Sequence, residues 1–157
     1  MTIEYIKGDL FAANERAIAH GCNCHGVMGA GVARIVAERF PEAFREYRRS
    51  YDFKTYYPGC AQPVQCFEDP LHRDGEVTTI YNLATQNAPG ANAKIDFVKA
   101  ALQNMRRHME FVGNDRVAMP KIGAGIGGLN WGITEQVITE VFNLGGVHSF
   151  HITVYEL

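Results

Sequence analysis

Long apolar runs, a strong net charge and paired cysteine motifs are all missing from this 157-residue chain. No stretch approaches the ~20 residues that a membrane-spanning helix needs, and Met1-Thr2-Ile3-Glu4 has none of the basic and apolar regions of a signal peptide. A cytoplasmic protein with no membrane partner is the expectation. The formal net charge is only −2, so no global field recruits nucleic acid, and none is expected as a partner. The local cluster Arg45, Arg48, Arg49 and Lys54 reads as a solvated helix face. Four cysteines, Cys22, Cys24, Cys60 and Cys66, in a chain without a secretory signal read as reduced thiols. Cys22-x-Cys24 with His20 and His25 nearby supplies zinc-type ligands, but not at finger or ribbon spacing, so no metal is expected.

Two nucleotide fingerprints are absent as well. Gly29-Ala30-Gly31 continues as Val32-Ala33-Arg34 and lacks the third glycine of Gly-x-Gly-x-x-Gly, and Gly-x-x-x-x-Gly-Lys-Ser/Thr does not occur. A dehydrogenase or a nucleoside triphosphatase is therefore not expected. There is no repeat, low-complexity tract or linker, and the length suits one domain with a core of its own.

What the chain does have is two glycine-rich turns that run into helix-like patterns: Met28-Gly29-Ala30-Gly31-Val32 and Lys121-Ile122-Gly123-Ala124-Gly125-Ile126-Gly127-Gly128-Leu129. Glycine lets backbone N–H groups approach an anion closely, and a helix that starts there adds unpaired donors and the positive end of its dipole. A two-sided clamp for a diphosphate follows.

Strand and helix signals alternate along the chain. Thr2 to Ile6 alternates like an edge strand, Lys7-Gly8-Asp9-Leu10 turns, and Ala17 to Cys22 reads as a short buried strand. Val32, Ile35, Val36 and Phe40 recur at helical spacing, and Pro41 opens a second helical piece, or a break in one helix, that holds Phe44 and Tyr47. Val64 to Phe67 and Val77 to Leu83 read as strands around a turn from Asp69-Pro70 to Asp74-Gly75. Ile95, Val98, Leu102, Met105 and Met109 mark a helix from about Lys94 to Glu110. Arg116 to Pro120 leads into the second loop. A helix carrying Trp131, Val137, Ile138, Val141 and Phe142 is expected to end at Gly145-Gly146, and His151 to Tyr155 closes as a strand. This order predicts a three-layer α/β/α domain over residues 1–157 with a mixed central sheet and ligands beyond the strands' carboxyl ends.

Lys7-Gly8-Asp9-Leu10, His20-Gly21-Cys22-Asn23, Met28 to Ala33 and Pro120 to Trp131, in that order, resemble macrodomains, the ADP-ribose-binding modules. The chain is most similar to the branch with terminal ADP-ribose protein glycohydrolase and the fungal ADP-ribose-1''-phosphate phosphatase. The resemblance implies that Asp9 accepts from the adenine amino group while Leu10 and Phe11 line its pocket. It implies that Asn23 donates to and accepts from the distal ribose. It also implies that Gly29, Ala30, Gly31 and Val32 face Lys121, Ile122, Gly123, Ala124, Gly125, Ile126 and Gly127 across the diphosphate. Tyr155 and Leu157 are expected against adenine, and Trp131 as an anchor for its helix.

The same comparison places Gln86 where the glycohydrolase has its lysine, Gly127 where it has an aspartate, and Ala33 where another group has one. Neither glutamine nor glycine can form a Schiff base or move a proton. A hydrolase acting at the distal ribose, with Asn23 orienting the sugar and His25 or a water carrying the proton, is one implied function. A non-catalytic reader of ADP-ribose, free or on ADP-ribosylated protein, is the alternative. Neither needs a cofactor. His20, on its strand, reads as a structural group.

Overall fold

The computed structural model describes residues 1–67, 77–143 and 149–156. Six strands, β1 (Thr2–Lys7), β2 (Ala17–Cys22), β3 (Ala61–Cys66), β4 (Thr78–Ala84), β5 (Arg116–Met119) and β6 (His151–Glu156), form one sheet in the order β1-β6-β5-β2-β4-β3. Every pairing is parallel except β3 with β4. The sheet is therefore mixed, with an antiparallel edge strand. Pro63 sits in that edge strand, where a missing N–H costs no ladder bond on the open side.

Helices α1 (Gly31–Arg39) and α2 (Pro41–Asp52) cover one face, and α3 (Ile95–Val112) and α4 (Trp131–Phe142) the other. Side chains of a strand point alternately to opposite faces, and the two cores follow that rule. Ala17, Ala19, Tyr81, Leu83, Val117, Met119, Ile152 and Val154 meet α3 and α4. Ile18, Ile80, Ala118 and Tyr155 meet α1 and α2. The three layers expected from the sequence are present.

Pro41 separates α1 from α2 because the residue before a proline is pushed out of the helical region; Phe40 stands at φ −125°, ψ 72°. Two helices result, with Pro41 opening the second. α3 runs two residues beyond Glu110 and stops at Gly113, whose φ of 73° gives the left-handed cap that glycine adopts without strain. α4 ends at Phe142. The expected turn from Asp69 to Gly75, the stop at Gly145-Gly146 and the terminal Leu157 lie outside the described residues.

Candidate functional site

The carboxyl ends of β2, β4, β5 and β6 open into one cleft of about 980 Å³. Its walls are the first glycine loop running into α1, the second glycine loop, and the segment after β4 with Thr85, Gln86, Pro89 and Gly90. A concave space of this size at strand ends is what a nucleotide-sized ligand requires. α1 begins at the cleft without a side-chain cap, since Ala30 precedes it, so its first N–H groups have no side-chain acceptor.

The glycines of the two loops divide by cause. Gly31 (φ +58°), Gly123 (φ +75°) and Gly128 (φ +83°) adopt backbone that side chains disfavour. Gly127 lacks room: an added Cβ would lie 2.7 Å from Ala93 Cβ and 2.8 Å from the Gly123 carbonyl. Gly29 and Gly125 have neither reason. Neither has a positive φ, and a Cβ on either would meet no atom of the chain within 4 Å. Both line the cleft, on opposite loops.

Asn23 follows β2 and is fastened on three sides. Its Nδ2 donates to the Val27 carbonyl at 2.9 Å, and its Oδ1 accepts from the His25 amide at 2.9 Å and from the Tyr47 hydroxyl at 2.8 Å. A carboxamide oxygen has two lone pairs; the His25 amide takes one, and the Tyr47 hydroxyl, whose single hydrogen is shared with the Asn23 carbonyl at 2.9 Å, faces the other. The expectation that Asn23 both donates and accepts is thus narrowed: one N–H is left for a ligand and no acceptor. Tyr47 was legible in the sequence only as a helix-face aromatic, yet it reaches this loop from α2.

His20 and Asn82 are fully buried and stand opposite each other in the β2–β4 register. His20 Nε2 lies 2.6 Å from Asn82 Oδ1. Asn82 Nδ2 donates to the Ala43 carbonyl at 3.1 Å and to Gln62 Oε1 at 3.0 Å, which fixes the amide and makes His20 Nε2 the protonated nitrogen. Burial pulls the imidazole down to about 4, against the opposing effect of its hydrogen bond to Asn82 Oδ1. His20 is a neutral structural group. His25 is exposed, and only its backbone amide takes part in the turn; it is not among the residues that line the cleft.

At the other end, Asp9 caps the single 3-10 turn Leu10–Ala12, its Oδ1 accepting from the Phe11 amide at 2.9 Å. Leu10 and Phe11 are buried in the α1/α2 core, where Phe11 packs against Phe40 and under Arg39. None of the three lines the cleft. The sequence pattern did not distinguish an adenine pocket from core at Leu10 and Phe11, because both call for apolar side chains. Tyr155 does line the cleft, beside Glu156, whose carboxylate pairs with Lys121 at 3.1 Å. Trp131 also reaches the cleft rim and anchors itself by donating from Nε1 to the Tyr5 hydroxyl at 3.1 Å.

Gln86, the residue at the lysine position, is buried against its own loop. Its Nε2 donates to the carbonyls of Ala88 (2.7 Å) and Gly90 (2.8 Å), leaving Oε1 toward Gly127. Neither residue offers a nucleophile or a proton carrier. Nothing local in the sequence marks Gln86 as the support of the Ala88 to Gly90 wall of the cleft.

The Macro domain family profile matches residues 19–138. The DNA ADP-ribosyl glycohydrolase of Mycobacterium tuberculosis is 31% identical over 142 residues, which is 89% of this chain and 38% of that longer protein. The ADP-ribose 1''-phosphate phosphatase of Lodderomyces elongisporus is 27% identical over 155 residues, covering 92% of this chain and 95% of that protein. Among solved structures, the macrodomain of Mycobacterium tuberculosis DarG superposes with a TM-score of 0.86 at 28% identity, over 99% of this chain and 98% of that one.

Proposed function

The chain belongs to the Macro domain family, and from that premise we propose that its cleft binds ADP-ribose and that the protein hydrolyses ADP-ribose derivatives at the distal ribose. The observation that carries the binding half is the pair Gly29 and Gly125. The fold itself requires glycine at neither position, and a diphosphate approaching both backbones at once does. On this reading the diphosphate lies between the two loops and the α1 N-terminus. The distal ribose meets the remaining N–H of Asn23. Adenine extends toward Tyr155 at the end of β6.

The hydrolytic half is supported by the relatives named as a phosphatase and as glycohydrolases. Because Gln86 cannot form a covalent sugar adduct, the attacking group on this reading is water held at the distal ribose. His25 lies outside the cleft lining, so the water's proton passes to solvent or to the ligand's own oxygens. A reader without turnover is the second reading, favoured by one observation: the Gln86 and Gly127 positions carry no nucleophile, and Gly127 has no space for a carboxylate.

Calorimetry with ADP-ribose tests the first half, and no heat at millimolar ligand ends it. The protein is then incubated with ADP-ribose-1''-phosphate, ADP-ribosylated protein and ADP-ribosylated DNA. Release of phosphate or of ADP-ribose identifies the hydrolase and its substrate class. Tight binding with no turnover on any of the three leaves the reader.

A further inference from the structure

Below the first loop, buried polar groups form a connected layer that nothing in the cleft itself requires. His20 pairs with Asn82, and the Asn82 backbone carbonyl accepts from the Tyr56 hydroxyl at 3.1 Å. Tyr56 packs edge-on against Tyr47, ring centroids 5.0 Å apart. The Tyr47 hydroxyl ends the layer at the loop, 2.8 Å from Asn23 Oδ1, 2.9 Å from the Asn23 carbonyl and 3.4 Å from the Val27 carbonyl. Tyr47 is itself fully buried, and burial holds its phenol above the usual range, so it remains an O–H donor at any working pH. Buried hydroxyls and amides that lose a partner are costly, so these groups are held to the partners they have.

We propose that Tyr47 is the positioning residue for sugar recognition: its hydroxyl holds the Asn23 carboxamide so that the distal subsite presents one N–H donor and no acceptor. This rests on reading the cleft as an ADP-ribose site. The Asn23 oxygen is turned toward Tyr47 and the His25 amide, and its Nδ2 toward Val27. A ligand atom at this end must therefore accept, as a ribose hydroxyl oxygen does. Without the Tyr47 hydroxyl the Asn23 oxygen keeps one donor, the His25 amide, and the carboxamide is held by two bonds instead of three, so its N–H is aimed less firmly at the sugar oxygen. Arg48, from the same helix, also holds the turn by donating to the Gly26 carbonyl at 3.2 Å, and that anchor remains in Tyr47→Phe.

The test compares ADP-ribose with ADP, which lacks the distal ribose, by calorimetry on the unmodified protein, Tyr47→Phe, Asn23→Asp and the double variant Tyr47→Phe/Asn23→Ala beside Asn23→Ala. Tyr47→Phe keeps the ring and its packing, and retained ADP binding reports an intact cleft. The expected result is ADP-ribose binding weakened about five- to tenfold in Tyr47→Phe, the loss of one positioned hydrogen bond, with ADP affinity within twofold of the unmodified protein. Asn23→Asp, which cannot donate, loses ADP-ribose affinity selectively too. The double variant binds no more weakly than Asn23→Ala. Equal losses for ADP and ADP-ribose in Tyr47→Phe, or no loss for either, overturn the proposal while leaving the ADP-ribose site standing. Absence of ADP-ribose binding by the unmodified protein overturns the parent reading and this one with it.

Discussion

Ile126 and Gly31 meet across the mouth of the cleft: the Ile126 Cδ1 methyl lies 2.9 Å from where a Cβ on Gly31 would stand. The contact joins the second glycine loop to the first turn of α1, and Gly31 also has a φ of +58°. Gly31→Ala therefore meets chiefly the left-handed backbone penalty, because the exposed Ile126 methyl can swing aside, and is expected to lose about 1–2 kcal/mol of stability. Ile126→Ala in the same chain removes the clash and leaves the backbone penalty. Urea unfolding of the single and double variants measures both, and full recovery in the double would refute the backbone part.

Gly29→Ala and Gly125→Ala should behave in the opposite way. Neither residue has a positive φ or a neighbour within 4 Å of an added Cβ, so each substitution is expected to be neutral or to stabilise by about 0.4–1 kcal/mol through the unfolded chain. ADP-ribose affinity should nevertheless fall about tenfold, because the new methyl stands where the diphosphate approaches the backbone. Stability by urea and affinity by calorimetry, taken on the same variants, separate the two effects. Unchanged affinity in both would remove the argument for a diphosphate between these loops.

The alternation of elements and the two glycine loops were legible because period-2 and period-3.6 patterns and turn glycines are local signals. The interruption at Pro41 follows from the residue type, and Trp131 has the anchoring role expected of it, while its reach to the cleft rim carries no mark in the sequence. Tyr47 and Gln86 were not legible in their roles, since each acts through partners far along the chain or through carbonyls that carry no sequence mark. At Leu10 and Phe11 only the resemblance points to a ligand, since an apolar pocket and an apolar core ask for the same side chains. Asn23 was identified at the site, but its hydrogen-bond polarity depended on Tyr47, 24 residues away.

Placing at Gly127 the aspartate that the resemblance implies is expected to fail structurally. In Gly127→Asp the Cβ alone would press on Ala93 Cβ at 2.7 Å and the Gly123 carbonyl at 2.8 Å, and the carboxylate would approach Gln86 Oε1. Backbone cannot yield as a flexible side chain can, and overpacking of this kind costs about 1–3 kcal/mol. Thermal unfolding should drop by several degrees, with ADP-ribose binding weakened. A Gly127→Asp protein as stable as the original would show that the loop has room the geometry denies.

Lys121 and Glu156 form a half-exposed pair at 3.1 Å on the cleft wall, with side-chain exposures of 41% and 31%. A pair that open to solvent adds little to stability. Its effect is on the ligand, because Glu156 occupies the ammonium and adds a negative charge near the phosphates. Glu156→Gln is expected to tighten ADP-ribose about two- to fivefold at low salt, with the gain shrinking at 0.5 M salt as screening removes it. Weaker binding in Glu156→Gln would mean that the carboxylate itself contacts the ligand.

His20 sets the acid limit of the fold. Its imidazole titrates near 6.5 in the unfolded chain and is pulled down to about 4 in the folded one by burial, so the unfolded state binds the proton first. Stability is fully present above about pH 6.5 and is lost as pH falls toward 4, by about 3 kcal/mol in all. His108, also lowered by burial, acts with the same sign. At the alkaline side the sign reverses: burial pushes the Cys24 thiol up to about 12 and raises Cys60, so stability declines as pH rises past 9. Urea unfolding from pH 4.5 to 10 should therefore give a plateau between about 6.5 and 9. In His20→Gln the amide can still donate to Asn82 Oδ1 but takes up no proton, so the acid limb should flatten relative to the unmodified protein even if the plateau is lower. An acid limb of the same steepness in both proteins would assign the loss to the carboxylates instead of to His20.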